Sequence, residues 1–377
     1  MTLTARRLNR ATLSRQMLLR REVTAAADAV RRLPALQAQE AASPYIALWN
    51  RLTDFDPKEL DAAFSSRALV KASLMRITLH AVHAEDYPDF HHAMLPGLRA
   101  SRLGDTRFTA SGLSVVEAEA LLPSLAKFAI RPRTRAEIED FLAAELGGPR
   151  QGVWWALRTF AALHHAPSGG PWSFAARPSF VTAGTAPGPT SQDESVQRLA
   201  LRYLRAFGPA SAADFAQFTM LRRTVALQAL RALTGEVEEL KGPDGVTLFD
   251  VPGAPIPAED TVAPPRLLPM WDSVLLAYAD RSRVIPPEYR PLVIRRNGDV
   301  LPTLLVDGYV AGVWRPVEGG IEASAFHLLD DKTWQGLASE AGALTAFLAD
   351  RDPAVYRRYA HWWAKSMPSA ETRLLPG

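Results

Sequence analysis

Residues 191–251 read SQDESVQRLALRYLRAFGPASAADFAQFTMLRRTVALQALRALTGEVEELKGPDGVTLFDV. The segment up to Gly208 predicts a helix, SAADFAQFT predicts a short second helix, and RRTVALQALRALTG predicts a third helix that Gly235 closes. The remaining residues, EVEELKGPDGVTLFDV, predict two strands around a Pro-Asp-Gly turn. This order of helices followed by a hairpin is typical of a winged-helix module.

The same order recurs in residues 114–183, and a recurring layout indicates tandem modules. Capping boxes open the first two predicted helices, Ser114 with Glu117 and Thr134 with Glu137. RQGVWWALRTFAALHHA predicts a third helix, and PSGGPWSFAARPSFVTA predicts two short strands joined by a Gly-Gly turn. Because the third helix of such a module usually enters the major groove of DNA, two copies in series indicate a protein directed at nucleic acid.

A looser third copy is predicted at the N-terminus. TAAADAVRRL, SPYIALWNRL and DPKELDAAFSSRALVKAS predict three helices. LMRITLHAVHA follows and alternates apolar with mostly polar residues. We therefore expect a single strand there, whose basic face carries Arg76, Thr78 and His80.

A proline-rich stretch, residues 252–265, predicts a connection between domains. Beyond it, PLVIRR, DVLPTLLV, YVAGVWRPV and IEASAFHLL predict the strands of a β-meander, because Asn-Gly and Asp-Gly between apolar runs are strong hairpin signals. TWQGLASEAGALTAFLAD and the stretch around DPAVYRRYAHWWAK predict closing helices. The sequence thus predicts an α+β fold divided into domains 1–113, 114–190, 191–262 and 263–377.

The composition is that of a packed globular protein, with 47% hydrophobic and 22% charged residues in a chain of 377. The absence of cysteine excludes disulfide frameworks and thiolate metal sites and favours the cytoplasm. The N-terminus lacks the apolar core of a signal peptide, and no run of about 18 apolar residues could span a membrane. Only six of the 43 basic residues are lysine. Arginine suits phosphate recognition, but a GC-rich genome enriches arginine as well.

Standard catalytic signatures, such as a phosphate loop or a nucleophile elbow, are absent from the sequence. No cluster of histidines and carboxylates has the spacing of a metal site, so no metal is expected. The exception is LPALQAQEAASPY, residues 33–45. In an extended chain Gln37 and Gln39 share a face, where their two amides could hold one water. The alternative is that both are ordinary solvated glutamines at the end of an element.

Short motifs are spread along the chain: Leu8-Asn9-Arg10; Gln37-Ala38-Gln39; Pro44-Tyr45 with Trp49 and Arg51; Met75-Arg76 with Thr78 and His80; Gly208-Pro209 with Asp214-Phe215; Leu268-Pro269 with Asp272; Asp280-Arg281 and Arg283; Asp307-Gly308 with Gly312, Trp314 and Arg315. Together they resemble, over nearly the whole chain, the AlkZ-type winged-helix DNA glycosylases, known for resistance to azinomycin and similar alkylating natural products. The catalytic signature of that family is glutamine, a hydrophobic residue, then glutamine or aspartate. Residues 37–39 are similar to its double-glutamine, crosslink-repair branch.

The resemblance implies three tandem winged-helix domains plus a β-barrel around a concave DNA-binding face, with Gln37 and Gln39 as the catalytic pair. It also implies that a β-hairpin reaches the DNA near this pair, and we map that hairpin to residues 295–299. DNA contacts are therefore expected from a set of polar residues: Arg51, Arg76, His80, Arg281, Arg295, Arg296 and Asn297. No cofactor is expected. The expected partner is double-stranded DNA carrying alkylated guanine, bound by a monomer.

The expected reaction is hydrolysis of the N-glycosidic bond of N7-alkylguanine by a monofunctional glycosylase, with interstrand crosslinks and resistance to an alkylating natural product as extensions. N7-alkylation gives the base a positive charge, so it leaves without strong acid catalysis, and water must be placed against the developing oxocarbenium at C1′. Two alternatives stay open. A winged-helix transcriptional regulator would not need Gln37 and Gln39, and a winged-helix interaction scaffold would not need the Arg-Arg-Asn-Gly hairpin.

Overall fold

A computed structural model of the chain describes residues 2–174, 176–183, 191–364 and 367–377. The domain boundary predicted at residue 190 falls on residues 184–190, which lie outside the described residues. The N-terminal elements are α1 (Ala5–Arg15), α2 (Ala26–Arg32), β1 (Leu36–Gln37), α3 (Ser43–Trp49), α4 (Pro57–Ser65), β2 (Leu69–Ser73) and β3 (Leu79–His83).

The single strand predicted over residues 74–84 is confirmed only for Leu79–His83 and is wrong for the residues before it. Met75–Ile77 instead forms a 3₁₀ turn that reverses the chain between β2 and β3, with Arg76 at φ +54° and Ile77 at φ +59°. The helix predicted over residues 56–73 likewise ends at Ser65, because Leu69–Ser73 pairs with Leu79–His83 as a hairpin. Pairing satisfies the backbone hydrogen bonds of both runs, which one isolated strand could not do.

The middle of the chain contains two helical segments, each followed by a hairpin. The elements of the first are α5 (Tyr87–Leu103), α6 (Thr106–Thr109), α7 (Val115–Ala120), α8 (Leu122–Phe128), β4 (Arg133–Thr134), α9 (Arg135–Glu145), α10 (Val153–Phe160), β5 (Leu163–Ala166) and β6 (Ser179–Thr182). Those of the second are α11 (Gln192–Phe207), α12 (Ala212–Thr219), α13 (Arg223–Ala232), β7 (Glu238–Lys241) and β8 (Thr247–Asp250).

The local signals in these segments are confirmed where they are strongest. Ser114 and Thr134 each cap a helix and form the predicted capping box. In residues 191–251 the predicted order of helices and hairpin is present. The helix predicted over residues 150–166 is too long, because it ends at Phe160 and the following residues pair with β6 as β5.

The C-terminal part is built on an antiparallel sheet. Its elements are β9 (Arg266–Leu268), α14 (Arg290–Val293), β10 (Thr303–Val306), β11 (Tyr309–Val317), β12 (Gly320–Ala325), α15 (Asp331–Ala349) and β13 (Glu371–Pro376). The strand predicted from PLVIRR is wrong: Arg290–Val293 is helical, and only an isolated bridge joins Ile294 to Val300. The expected barrel is also corrected, because the sheet is open in the order β13-β12-β11-β10-β9.

A second sheet places Gln37. Within the described residues its strands run in the order β1-β3-β2-β5-β6-β4, so the hairpins of the N-terminal part and of the segment after it form one continuous sheet. The strand that carries Gln37 is an edge of that sheet. An edge strand leaves one side of its backbone open to a ligand.

Helix α1 connects distant parts of the chain through buried polar side chains. The amide Nδ2 of Asn9 donates to the carbonyls of Arg283 and Gly308, each at 2.8 Å. Arg15 forms a bidentate pair with Asp250 at 2.6 and 2.7 Å. Gly308 has φ +82°, and a Cβ there would lie 2.6 Å from Oδ1 of Asn9, so this contact requires glycine. No helix in the described parts of the chain is both long and apolar enough to cross a membrane.

Candidate active site

Gln37 ends its strand with a side chain almost fully enclosed by protein. β1 pairs antiparallel with β3, so Gln37 lies opposite His80 and Leu36 lies opposite Ala81. Leu36 and Ala38 belong to the hydrophobic core, and alternation along the strand directs Gln37 to the other side. Gln37 is 4% exposed.

Arg76 makes the side-chain hydrogen bond that holds Gln37. Its Nη2 donates to Oε1 of Gln37 at 2.8 Å and to Nε2 of His80 at 3.2 Å. Its Nη1 donates to the backbone carbonyl of Phe218, on α12, at 2.9 Å. Because the ring of His80 is fully buried, the expectation that it contacts DNA is corrected, whereas a contact between part-buried Arg76 and DNA stays a prediction.

Burial sets the protonation states in this network. It lowers the pKa of His80 to about 3, with the charge of Arg76 as the second cause, so the ring is neutral near pH 7. Burial also lowers the pKa of Arg76 to about 10, with the charge of Arg281 as the second cause, and this still leaves the guanidinium charged. The site thus holds a permanent cation between two neutral acceptors.

Gln39 differs from Gln37 in its surroundings. Its side chain is exposed and makes no hydrogen bond to another described residue, so its amide is available to a ligand. The next residue, Glu40, pairs with Arg358 at 2.7 Å. Arg358 belongs to the 3₁₀ turn Arg357–Trp362, which brings the C-terminal segment beside the glutamine pair.

Arg51 does not contact DNA. Its guanidinium is fully buried and forms a bidentate pair with Asp272, with both distances at 2.8 Å. It also donates to the backbone carbonyl of Ala47 at 2.9 Å. The expectation from the sequence is therefore wrong, because a phosphate could not reach this group. Arg51 instead joins the N-terminal part to the loop after β9.

Arg281 remains a proposed DNA contact. It is half-buried, and burial followed by the charge of Arg290 lowers its pKa. Its charge in turn contributes to the lowered pKa of Arg76, so the two cations lie near each other. Its Nε is buried and has no hydrogen-bond partner among the described residues. A guanidinium without a carboxylate partner suits a phosphate oxygen.

The predicted hairpin is a tight turn held against the C-terminal segment. Arg295 and Asp299 close it through a backbone hydrogen bond of 2.8 Å, and Nε1 of Trp362 donates to the Asp299 carboxylate at 2.8 Å. The guanidinium of Arg295 lies 4.9 Å from the centre of the Trp362 ring. Arg296 and Asn297 are exposed at the tip. Arg295 is therefore partly committed to protein. Asn297 exchanges hydrogen bonds of 3.0 and 3.1 Å with Asp299, whereas the side chain of Arg296 is open to a ligand.

The turn Arg357–Trp362 contacts both parts of the candidate site. Arg358 pairs with Glu40 beside the glutamine pair, and Trp362 donates a hydrogen bond to the hairpin. Sequence reasoning missed this link, and it also missed Phe218. Neither carries a local signal, because the hydrogen bond from Arg76 to Phe218 joins residues 142 positions apart. A cavity of about 630 Å³ lies between α13 and the β7–β8 hairpin, but Gln37 and Gln39 do not line it.

Comparisons with known proteins now bear on the whole chain. The family model described as DNA glycosylase AlkZ-like matches residues 30–347. The chain belongs to the AlkZ-like DNA glycosylase family. It is thus a DNA glycosylase, an enzyme that hydrolyses N-glycosyl bonds in DNA, and the regulator and scaffold alternatives give way to it.

Two similar proteins come from Streptomyces sahachiroi. The curated interstrand DNA cross-link repair glycosylase is 25% identical over 342 residues, which cover 83% of this chain and 88% of the relative. The solved structure of the DNA glycosylase AlkZ has a TM-score of 0.78 and 22% identity, covering 94% of this chain and 99% of that chain. The second likeness shows that the two proteins share a fold.

Proposed function

We propose that this glycosylase is monofunctional and excises cationic N7-alkylguanine, with Gln37 and Gln39 orienting the attacking water. The observation that carries the proposal is the placement of the two amides. One is held rigidly by Arg76 at the edge of a sheet, and the other is exposed two residues further along. An amide donates and accepts hydrogen bonds without changing its charge, which suits the orientation of a neutral water.

The chemistry requires no strong acid. The C1′–N9 bond breaks with its electron pair passing to the base, and this neutralises the positive charge that alkylation placed on the ring. The sugar becomes an oxocarbenium, the water oxygen bonds to C1′, and one water proton is released to solvent. An abasic site and a free alkylguanine remain. The residues contribute mainly by positioning the water, an effect that depends on geometry rather than on proton affinity.

We also propose that the helical segments are three winged-helix modules, with boundaries near residues 113, 190 and 262. The element order of residues 191–251 supports this most directly. Interstrand crosslinks belong to the proposed substrate range because the curated relative is a cross-link repair glycosylase. The exposed hairpin residues Arg296 and Asn297, together with Arg281, are the proposed DNA contacts.

The test is single-turnover excision from duplex DNA with one N7-methylguanine, followed by alkaline cleavage at abasic sites. We expect Gln37→Ala and Gln39→Ala each to slow excision by about 10- to 1,000-fold. The matched control is Gln335→Ala, which removes an exposed amide from α15 and should excise normally. Wild-type rates in a double Gln37, Gln39 variant would refute the assignment. A duplex with a nitrogen-mustard crosslink, read as strand separation on a denaturing gel, tests the wider substrate range.

A further inference from the structure

Arg76 stands out because its guanidinium bridges three separate elements. It lies in the turn between β2 and β3, and it reaches Gln37 on β1, His80 on β3 and the Phe218 carbonyl on α12. Each acceptor is within 3.2 Å of a terminal nitrogen of Arg76. A planar fork with several donors can make such contacts at once, whereas an ammonium cannot hold the same geometry.

Arg76 is part-buried, and it differs from the buried arginines of the chain. Arg15 and Arg51 each face a carboxylate in a bidentate pair. Arg76 forms no ion pair with any described residue, and all its recorded partners are neutral. Holding a part-buried cation without a counter-charge is unfavourable for folding. The backbone of Arg76 also lies in the left-handed region, with φ +54°, and this conformation is strained for a residue other than glycine. Two such unfavourable features at one residue indicate a role in function.

We propose that Arg76 is the positioning residue of Gln37, holding the amide oxygen so that the amide N–H groups face the substrate. The inference rests on the function proposed above, because it concerns the same glutamine. With one lone pair of Oε1 committed to Arg76, Gln37 acts chiefly as a hydrogen-bond donor to the water oxygen. Gln39, whose amide has no partner among the described residues, is then the group that accepts a hydrogen bond from that water, whose proton leaves to solvent.

His80 completes the arrangement as a neutral acceptor. Its Nδ1 lies 3.0 Å from the carbonyl of Thr78, which can only accept, so Nδ1 carries the proton. Nε2 is therefore left with a lone pair toward Arg76, at 3.2 Å. A protonated ring would place an N–H against the guanidinium donors. Burial keeps His80 neutral, so the hydrogen bond from Arg76 to Gln37 persists across the working pH range.

The experiment compares Arg76→Met and Arg76→Lys in the wild-type and the Gln37→Ala backgrounds. Arg76→Met keeps a long apolar stem without a donor, and Arg76→Lys keeps the charge without the fork. We expect either change to lower the single-turnover rate at saturating protein by about 100-fold, as a misplaced catalytic group does. In the Gln37→Ala background neither change should slow the reaction further, because a residue that acts through Gln37 has nothing left to position.

A phosphate contact would behave differently. If Arg76 bound a phosphate, Arg76→Met would weaken binding to damaged and undamaged DNA alike and would lower the salt dependence of affinity. Arg76→Lys would largely restore binding, and the loss caused by Arg76→Met would add to the loss caused by Gln37→Ala. That pattern would overturn the proposal. Arg135→Gln is the matched control, since it removes an exposed cation from α9 that belongs to neither the site nor the proposed DNA contacts, and it should excise at the wild-type rate. If Arg76→Met does not fold, as judged by circular dichroism, Arg76→Lys carries the test alone. A wild-type rate for Gln37→Ala would refute the proposed function, whereas a slow Gln37→Ala beside a normal Arg76→Met would refute only the positioning role.

Discussion

Acidification from pH 7 to pH 5 should destabilise this protein through its buried histidines. Burial lowers the pKa of His80 to about 3 and that of His91 and His164 to about 4. An unfolded histidine titrates near pH 6.5, which lies inside this window. Between pH 6.5 and the folded pKa the unfolded chain binds protons that the folded chain cannot, so stability falls as pH falls. Carboxylates contribute little above pH 5, because they remain ionised in both states.

The magnitude follows from linkage. Each histidine that stays neutral in the folded state but titrates at 6.5 when unfolded lowers the free energy of unfolding by about 2 kcal/mol between pH 7 and pH 5. Three such groups give about 6 kcal/mol if they act independently. For 377 residues the entropy of unfolding is about 0.8 kcal/mol per kelvin, so Tm should fall by about 7 °C. Burial also lowers the pKa of His165, but that side chain keeps partial exposure and adds less.

The assay is thermal unfolding by circular dichroism at several pH values between 5 and 7. The control is His91→Gln, because Nε2 of His91 lies 3.1 Å from the Phe160 carbonyl and a glutamine amide can donate to the same oxygen without titrating. This variant should lose about a third of the pH dependence, whatever its stability at pH 7. A Tm that stays constant across the window, or a His91→Gln variant as steep as the wild type, would show that these rings are not held neutral.

Two further predictions concern residues whose roles the structure changed or refined. Arg51→Leu leaves the carboxylate of Asp272 buried and unpaired, so the free energy of unfolding in urea should fall by about 3–5 kcal/mol, and a loss below about 1 kcal/mol would show that the pair is not a structural link. Replacing both Arg295 and Arg296 with alanine should reduce single-turnover excision even when protein saturates the DNA, because we propose that the hairpin holds the damaged nucleotide as well as binding DNA. Full recovery of the rate at saturation, measured at low and at moderate salt, would mean that the hairpin only contributes affinity.

The features that the sequence predicts well are those decided within a few residues. A capping box needs only Ser114 or Thr134 and the glutamate three positions later, and both are present. The Asp307-Gly308 turn between β10 and β11 needs only two residues that tolerate positive φ. The motifs that indicate family membership can also be recognised from the sequence, because recognising them requires no knowledge of contacts.

Local patterns failed where a partner from elsewhere decided the outcome. The alternation in residues 74–84 predicts a single strand. Leu69–Ser73, however, pairs with Leu79–His83, so Met75–Ile77 forms the turn between these two strands. PLVIRR carries strand-forming residues, but Arg290–Val293 became helical. β13 was not predicted at all, because its pairing with β12 joins residues far apart in sequence.

The glutamine pair stays a prediction that the sequence makes by itself, because its spacing and its place in a motif are properties of residues 33–45. The sequence does not predict which residues contact that pair. Arg51 and Arg76 are both arginines in family motifs, and nothing local distinguishes them. One is buried against Asp272, 221 positions away, and the other holds Gln37, 39 positions away. Only the tertiary structure brings these partners within reach, since a hydrogen bond of about 3 Å depends on where the whole chain places both ends.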